Sequence, residues 1–245
     1  MNIDFSNHGT VTFDMIPYLA KVIDAFPETI NGAASTPANN YLFQVRPPQE
    51  TKYLLEIQAR AYHHTTVPLL FLACIHHEIQ TTVVFLTTCI KSPNEDDWGK
   101  LLKQVLWYLF STCHLKLILS ADSLTNIKWY INASHQTLFT FGKGAVTSTL
   151  NKQKVPSKSS TESKLIGLHN KSNDVIWTCH FLRAQGYTIS TNIIYQDNMN
   201  TLSLAKNGYV SSLKCTKYIK AKYLYIRHFH NSIELTLKYC PTDEM

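Results

Sequence analysis

The stretch Ser159-Ser160-Thr161-Glu162 constrains this chain more than any other. It opens an amphipathic helix. It also lies between two runs of strand character, Asn126–Asn132 before it and Asn192–Asp197 after it. Taken alone, it is a capping box. The Ser hydroxyl accepts the N3 amide, and the Glu side chain reaches back to the N-cap amide. A catalytic reading of Glu162 needs other acids to converge on it. Asp197 ends the second run and qualifies. Position 132 ends the first run and holds Asn132, an amide.

Composition narrows the class. With 44% hydrophobic residues among 245, the chain can build a real core. Charged residues are only 16%, low for a chain soluble by itself. The net charge of +6 suits an anionic partner such as nucleic acid without requiring one. Six cysteines, Cys74, Cys89, Cys113, Cys179, Cys215 and Cys240, form no C-x-x-C pair. Reduced, intracellular thiols are therefore expected, in cytoplasm or nucleus. Met1–Thr12 is polar and carries no signal-peptide core. The longest apolar run, Val67–Ile75, is too short to span a bilayer. The expectation is no membrane association and no small-molecule substrate.

In chain order, residues 1–50 read as an irregular, linker-like segment with one short helix over Met15–Phe26. Thr29–Asn40 is rich in small and polar residues, and Pro47-Pro48 punctuates its end. Residues 51–114 change character. Apolar residues recur at helical spacing through Ile57–Ile75, Ile79–Cys89 and Trp98–Phe110, which predicts a three-helix region. Pro68 predicts a kink or break in the first helix. Asn94 before Glu95-Asp96-Asp97 predicts an N-cap with an acidic first turn. His63-His64 and His76-His77 are adjacent pairs. Neighbours on a helix point apart, so they read as ordinary histidines rather than metal ligands.

Residues 115–245 read as a third region. Leu115–Leu119 and Asn126–Asn132 alternate as strands. In the second, Ile127, Trp129 and Ile131 share one face, and Lys128, Tyr130 and Asn132 the other. Thr137–Phe141 and Ala145–Leu150 predict a hairpin around Gly142-Lys143-Gly144, read as a turn rather than a phosphate loop. One helix is expected from Ser160 to Asn170, and a second from Asn173 to a Gly186 stop. Asn192–Gln196 delivers Asp197, Met199–Lys206 is a short helix, and Ile233–Tyr239 is a last strand.

Two basic segments are candidates for phosphate contacts. One is the loop with Lys152, Lys154 and Lys158. The other is the basic, aromatic stretch with Lys214, Lys217, Lys220, Lys222 and Arg227. Both also read as solvated linker or solvated face. The β-β-β-α-β-α order with acids at strand ends predicts an α/β fold. Its expected architecture is a ribonuclease H-like mixed sheet with flanking helices, preceded by the small helical region.

Ordered short matches then carry a resemblance along nearly the whole chain. They include Gln58-Ala59-Arg60, His63-His64-Thr65, Lys91-Ser92-Pro93 and Asp96-Asp97-Trp98-Gly99-Lys100-Leu101. They continue through Lys128-Trp129-Tyr130, Ser159-Ser160-Thr161-Glu162, Tyr195-Gln196-Asp197-Asn198 and Tyr239-Cys240-Pro241-Thr242-Asp243. With these the chain resembles the pol polyprotein of copia-type retrotransposons. The resemblance implies that residues 51–114 correspond to the helical thumb of a reverse transcriptase. It implies that residues 115–245 correspond to a ribonuclease H domain, truncated at the C-terminus. Polymerase acids would lie upstream, so no polymerase activity is expected.

That family cuts the RNA strand of an RNA–DNA hybrid with two Mg²⁺ ions held by carboxylates. By position, Glu162 matches the helix acid and Asp197 the second strand acid, the two expected metal ligands. Asn132 stands in place of the first strand acid, making it a degenerate catalytic position. Lys164 stands where the pattern has an acid, and Tyr218 where it has His. The implied function is a retrotransposon remnant without catalytic turnover. The alternatives are a nucleic-acid-binding derivative of the same element and a still active ribonuclease H.

Overall fold

The computed structural model describes residues 1–39, 47, 50–132, 136–150, 157, 159–207, 217–232 and 234–244. Within its helices, the side chains at 100, 101, 217–220 and 223 are not described. The chain divides into two compact units, Met1–Ile118 and Leu119–Met245. It is a mixed α/β protein, with seven α-helices among the described residues.

The first unit opens with a hairpin rather than a linker. Strand β1 (Asn2–Asp4) pairs antiparallel with β2 (Thr10–Asp14), Asn2 opposite Asp14. Gly9 takes φ 78° in the connecting turn, where an L side chain would be strained. Helix α1 (Ile16–Asp24) follows, with Leu19 and Val22 buried. Phe26 and Ile30 join the same core. The segment expected to be irregular is therefore packed. Its strands are three and five residues long, too short to register as periodicity.

Helix α2 (Glu56–Leu72) runs through Pro68 without ending. A proline in a helix interior costs about 3 kcal/mol. Leu69 and Leu72 lie just beyond it, both fully buried. Burying two leucines gives about 3–6 kcal/mol, enough to hold the last turn. Helix α3 (Gln80–Cys89) packs on α2, and the Tyr62 hydroxyl donates to the Leu86 carbonyl at 3.0 Å. A wide turn over Asp97–Leu102 leads into α4 (Lys103–Ser111). Asn94 works as expected at its start. Its side-chain oxygen accepts the amides of Asp96 and Asp97 at 2.8 and 3.0 Å, and Asp97 accepts the Asn94 amide at 2.9 Å. Burial raises the Asp97 carboxyl above its usual range. Outside the core, Glu28 accepts the Trp98 indole N–H at 2.8 Å and pairs with Lys103.

The boundary between the units falls within β3 (Leu117–Ala121). The second unit is built on a five-stranded sheet of β4 (Asn126–Ile131), β5 (Gln136–Thr140), β7 (Thr147–Leu150), β8 (Thr191–Gln196) and β9 (Thr236–Tyr239), in the order β7-β5-β4-β8-β9. The β7, β5 and β4 neighbours are antiparallel. The β4–β8 and β8–β9 pairs are parallel. β6 (Gly142–Lys143) adds to β3, with Lys143 opposite Ser120. The Gly142-Lys143-Gly144 stretch is thus a turn that also carries a short strand. A Cβ on Gly142 would meet the Asp122 amide nitrogen at 2.6 Å, so glycine is required there.

Helix α5 (Ser160–Ala184) is one continuous helix of 25 residues, not two. The polar run His169–Asn173 reads as a break but is held by contacts within the helix and beyond it. Ser172 is fully buried, and its hydroxyl donates to the His169 carbonyl at 2.7 Å. Tyr225, on helix α7 (Lys217–Asn231), donates to Asn173. Helix α6 (Met199–Asn207) is capped by Asn198, whose side chain accepts the Thr201 amide at 2.9 Å. The core forms where Ile127, Trp129 and Ile131 of β4 meet Leu165, Leu168 and Val175 of α5. This is the face the alternation predicts.

Candidate functional site

The site lies where β4 and β8 end. These strands run parallel with Tyr130 opposite Tyr195. Two residues further on, the chains reach Asn132 and Asp197. Parallel neighbours lie about 4.8 Å apart, so these positions occupy adjacent strand ends. Gln196 fixes the arrangement. It is fully buried, its amide donates to the Ile131 carbonyl at 3.0 Å, and its side-chain oxygen accepts the Asp197 amide at 3.0 Å. One side chain thus ties the end of β4 to the residue that follows β8.

Ser159 caps α5, accepting the Glu162 amide at 3.1 Å. The first turn of α5 lies beside the same strand ends. The Thr201 hydroxyl donates to the Thr161 carbonyl at 3.3 Å, and Thr201 is fully buried. From α5, the Lys164 side chain reaches Asp197. Its ammonium donates to both carboxylate oxygens, each at 2.6 Å. The pair is enclosed, with side-chain exposures of 12% for Lys164 and 6% for Asp197. Glu162 sits two positions earlier, and helix neighbours at that spacing do not face each other.

A third group closes the pocket. The Thr242 hydroxyl donates to Asp197 Oδ2 at 3.2 Å. The Cys240 amide donates to the Gln196 carbonyl at 3.1 Å, which anchors the segment carrying Thr242. Burial pushes the Cys240 thiol up, and the charges of Glu244 and Asp197 add to it. Two residues before these strand ends, Tyr130 stacks on Tyr195 with ring centroids 4.9 Å apart. Burial raises the Tyr130 phenol, and the Tyr195 and Cys240 charges act in the same sense. Asp122 is engaged elsewhere, accepting Lys128 Nζ at 2.5 Å.

The expected Mg²⁺ site can be tested on these donors. Mg²⁺ asks for near-octahedral oxygen ligands, several of them anionic. Here an ammonium stands on both oxygens of Asp197, and the adjacent strand end offers a neutral amide. Among the described residues, no group of three or more His, Cys, Asp or Glu is placed to hold a metal ion. The donor set as arranged does not fit a divalent cation at Asp197.

The predicted phosphate contacts are only partly placed. Lys152, Lys154, Lys158 and Lys214 lie outside the described residues, as does the side chain of Tyr218. Lys217 and Lys220 belong to α7, but only their backbone is described. Lys222 is a correction: it is 5% exposed, turned into the unit rather than toward solvent. Its charge lowers the His169 imidazole, which burial lowers more. The period of α7 puts Lys222 and Ile226 on one buried stripe, which a count of basic residues does not reveal. Arg227 is half-buried.

Sequence reasoning places Lys164 where the resemblance has an acid but misses its pairing with Asp197, and it misses Thr242 as a member of the site. Thr242 stands inside a recognised motif, and Lys164 two residues past one. The usable signal was a lysine one turn into a helix whose start is expected to meet a strand-end acid.

No protein-family model matches the chain, and no solved structure matches it. Curated relatives do. The chain is 26% identical over 186 residues to the retrovirus-related Pol polyprotein from transposon TNT 1-94 of Nicotiana tabacum, covering 71% of this chain and 14% of that protein. It is also 26% identical over 172 residues to the retrovirus-related Pol polyprotein from transposon RE2 of Arabidopsis thaliana, covering 65% of this chain and 12% of that protein. The chain thus spans about one eighth of the length of these relatives. The likeness supports descent from a retrotransposon Pol polyprotein.

Proposed function

We propose that the chain is a remnant of a copia-type retrotransposon Pol polyprotein with no catalytic turnover. In this reading, the first unit derives from the end of a reverse transcriptase with its helical thumb. The second derives from a ribonuclease H domain. The order of motif matches and the likeness to plant transposon Pol polyproteins support the ancestry. The mixed sheet supports it too, with its central parallel β4–β8 pair ending at positions 132 and 197.

One observation carries the loss of turnover: the bidentate Lys164–Asp197 pair beside Asn132. Hydrolysis of a hybrid in this family rests on paired metals that stabilise the attacking and leaving oxygens. A carboxylate already neutralised by an ammonium, next to an amide, cannot recruit them. Glu162 remains at the N3 position of α5, its amide held by the Ser159 hydroxyl.

The test is incubation of the full chain with a labelled RNA–DNA hybrid and Mg²⁺ or Mn²⁺. The expected result is no cleavage above a protein-free control. Asn132→Asp alone restores none, because Lys164 still holds Asp197. Hybrid-specific cleavage abolished by Glu162→Ala overturns the reading.

A further inference from the structure

We infer that Lys164 is a tethered cation occupying a latent divalent-cation site, and that this single ammonium both completes the Asp197 pocket and keeps metal ions out of it. The inference rests on the ion-pair geometry and not on nuclease ancestry, so either can fail alone.

Three observations converge. First, the ammonium is centred on the carboxylate, with equal 2.6 Å distances to both oxygens. A surface lysine more often meets one oxygen. The symmetric position is where a bidentate cation would sit. Second, the acceptors of Asp197 are nearly used up. A carboxylate has about four acceptor directions, and Lys164 and Thr242 take three of them. Third, the pair is enclosed, at 12% and 6% side-chain exposure. Screening is weak there, and an unneutralised carboxylate is expensive.

These facts assign the pocket a requirement for one positive charge. The Lys164 stem supplies it from the chain itself. A tethered ammonium also has no dissociation step, so a free ion must first displace it. Removing the lysine therefore leaves a buried anion with a hydroxyl beside it, on the strand end adjacent to the one that carries Asn132. A hard divalent cation is the chemical class that satisfies such a pocket. Replacing Lys164 by Glu supplies a second carboxylate to the same point.

The experiment compares wild type, Lys164→Gln, Lys164→Glu and Lys164→Glu/Asp197→Asn. Mn²⁺ binding is read by calorimetry and by thermal unfolding with and without the ion. Wild type is expected to show no saturable Mn²⁺ binding dependent on Asp197, and no thermal shift. Lys164→Gln gains an Mn²⁺-dependent rise in Tm. Lys164→Glu binds Mn²⁺ at least about tenfold more tightly than Lys164→Gln, because a second carboxylate joins Asp197. The Asp197→Asn change removes that gain.

Where a single variant is unfolded alone, far-UV circular dichroism on adding Mn²⁺ reads the same question. Recovery of structure supports the inference, and no recovery overturns it. Two further results overturn it. One is Asp197-dependent Mn²⁺ binding by wild type. The other is folded Lys164→Gln and Lys164→Glu variants that gain nothing from Mn²⁺.

Discussion

Glu28 with Lys103 in the first unit, and Asp197 with Lys164 in the second, are both lysine–carboxylate pairs with a third side chain attached. They differ in burial. Lys103 and Glu28 keep 25% and 43% of their side-chain surface, whereas Lys164 and Asp197 keep 12% and 6%. The first pair sits at the rim of an apolar core, where Glu28 also holds the Trp98 indole. Its lysine hydrogen bond holds the Glu28 carboxyl below the usual range. The second pair closes the end of a sheet, at the point where two parallel strands deliver Asn132 and Asp197. Similar chemistry is decorative in one place and structural in the other. What separates the two is the access of water.

That contrast fixes the largest expected effect. Lys164→Met leaves a buried carboxylate without its cation and should cost about 3–5 kcal/mol in urea unfolding of the full chain. Lys164→Met combined with Asp197→Asn should recover most of that loss. Additive single effects would show that the pair is not coupled and would erase the contrast.

The glycines come next. Gly142→Ala places a Cβ 2.6 Å from the backbone nitrogen of Asp122, which cannot yield without breaking the β3–β6 pairing. Gly32→Ala places one 2.6 Å from the Trp107 indole, a side chain that can shift. Overpacking costs about 1–3 kcal/mol. The second-unit glycine should fall at the upper end and Gly32 at the lower, as read by thermal unfolding of each variant.

Lys103→Ala should cost under about 1 kcal/mol, the ordinary value for a partly exposed pair. A loss as large as that of Lys164→Met would mean that burial is not what distinguishes them.

The smallest effect is one of pH. Burial, with Lys222 nearby, lowers His169 from its ordinary 6.5. The unfolded chain then binds the proton first. Stability is full above 6.5 and falls as pH drops below it toward the lowered value. His77 is lowered by burial and acts in the same direction in the first unit. His169→Gln should flatten the acid limb of the stability curve. An unchanged slope would remove His169 from the account.

Much of this frame can be read from the sequence, and the failures have physical causes. The N-cap at Ser159 is local, and it forms, with the Ser159 hydroxyl accepting the Glu162 amide. The alternation of Ile127, Trp129 and Ile131 marks the buried face, because a strand half-covered by a helix leaves that signature. Asn94 caps as its motif says. The hairpin β1–β2 leaves no sequence signal because its strands are too short to show periodicity. The polar stretch at His169–Asn173 reads as a helix break because propensity is local. Ser172 and Asn173 instead find partners within and beyond the helix. Composition carries no azimuth, so a count of basic residues does not reveal that Lys222 is buried. The Lys164–Asp197 pair joins residues 33 apart in sequence, and no local pattern encodes such a contact.

The most direct measurement is a crystal of the full chain soaked in Mn²⁺, with anomalous scattering recorded at the manganese edge. The account predicts no manganese within coordinating distance of Asp197, and density for the Lys164 ammonium across both carboxylate oxygens. A manganese ion bridging Asp197 and Glu162, with Lys164 displaced, would contradict it.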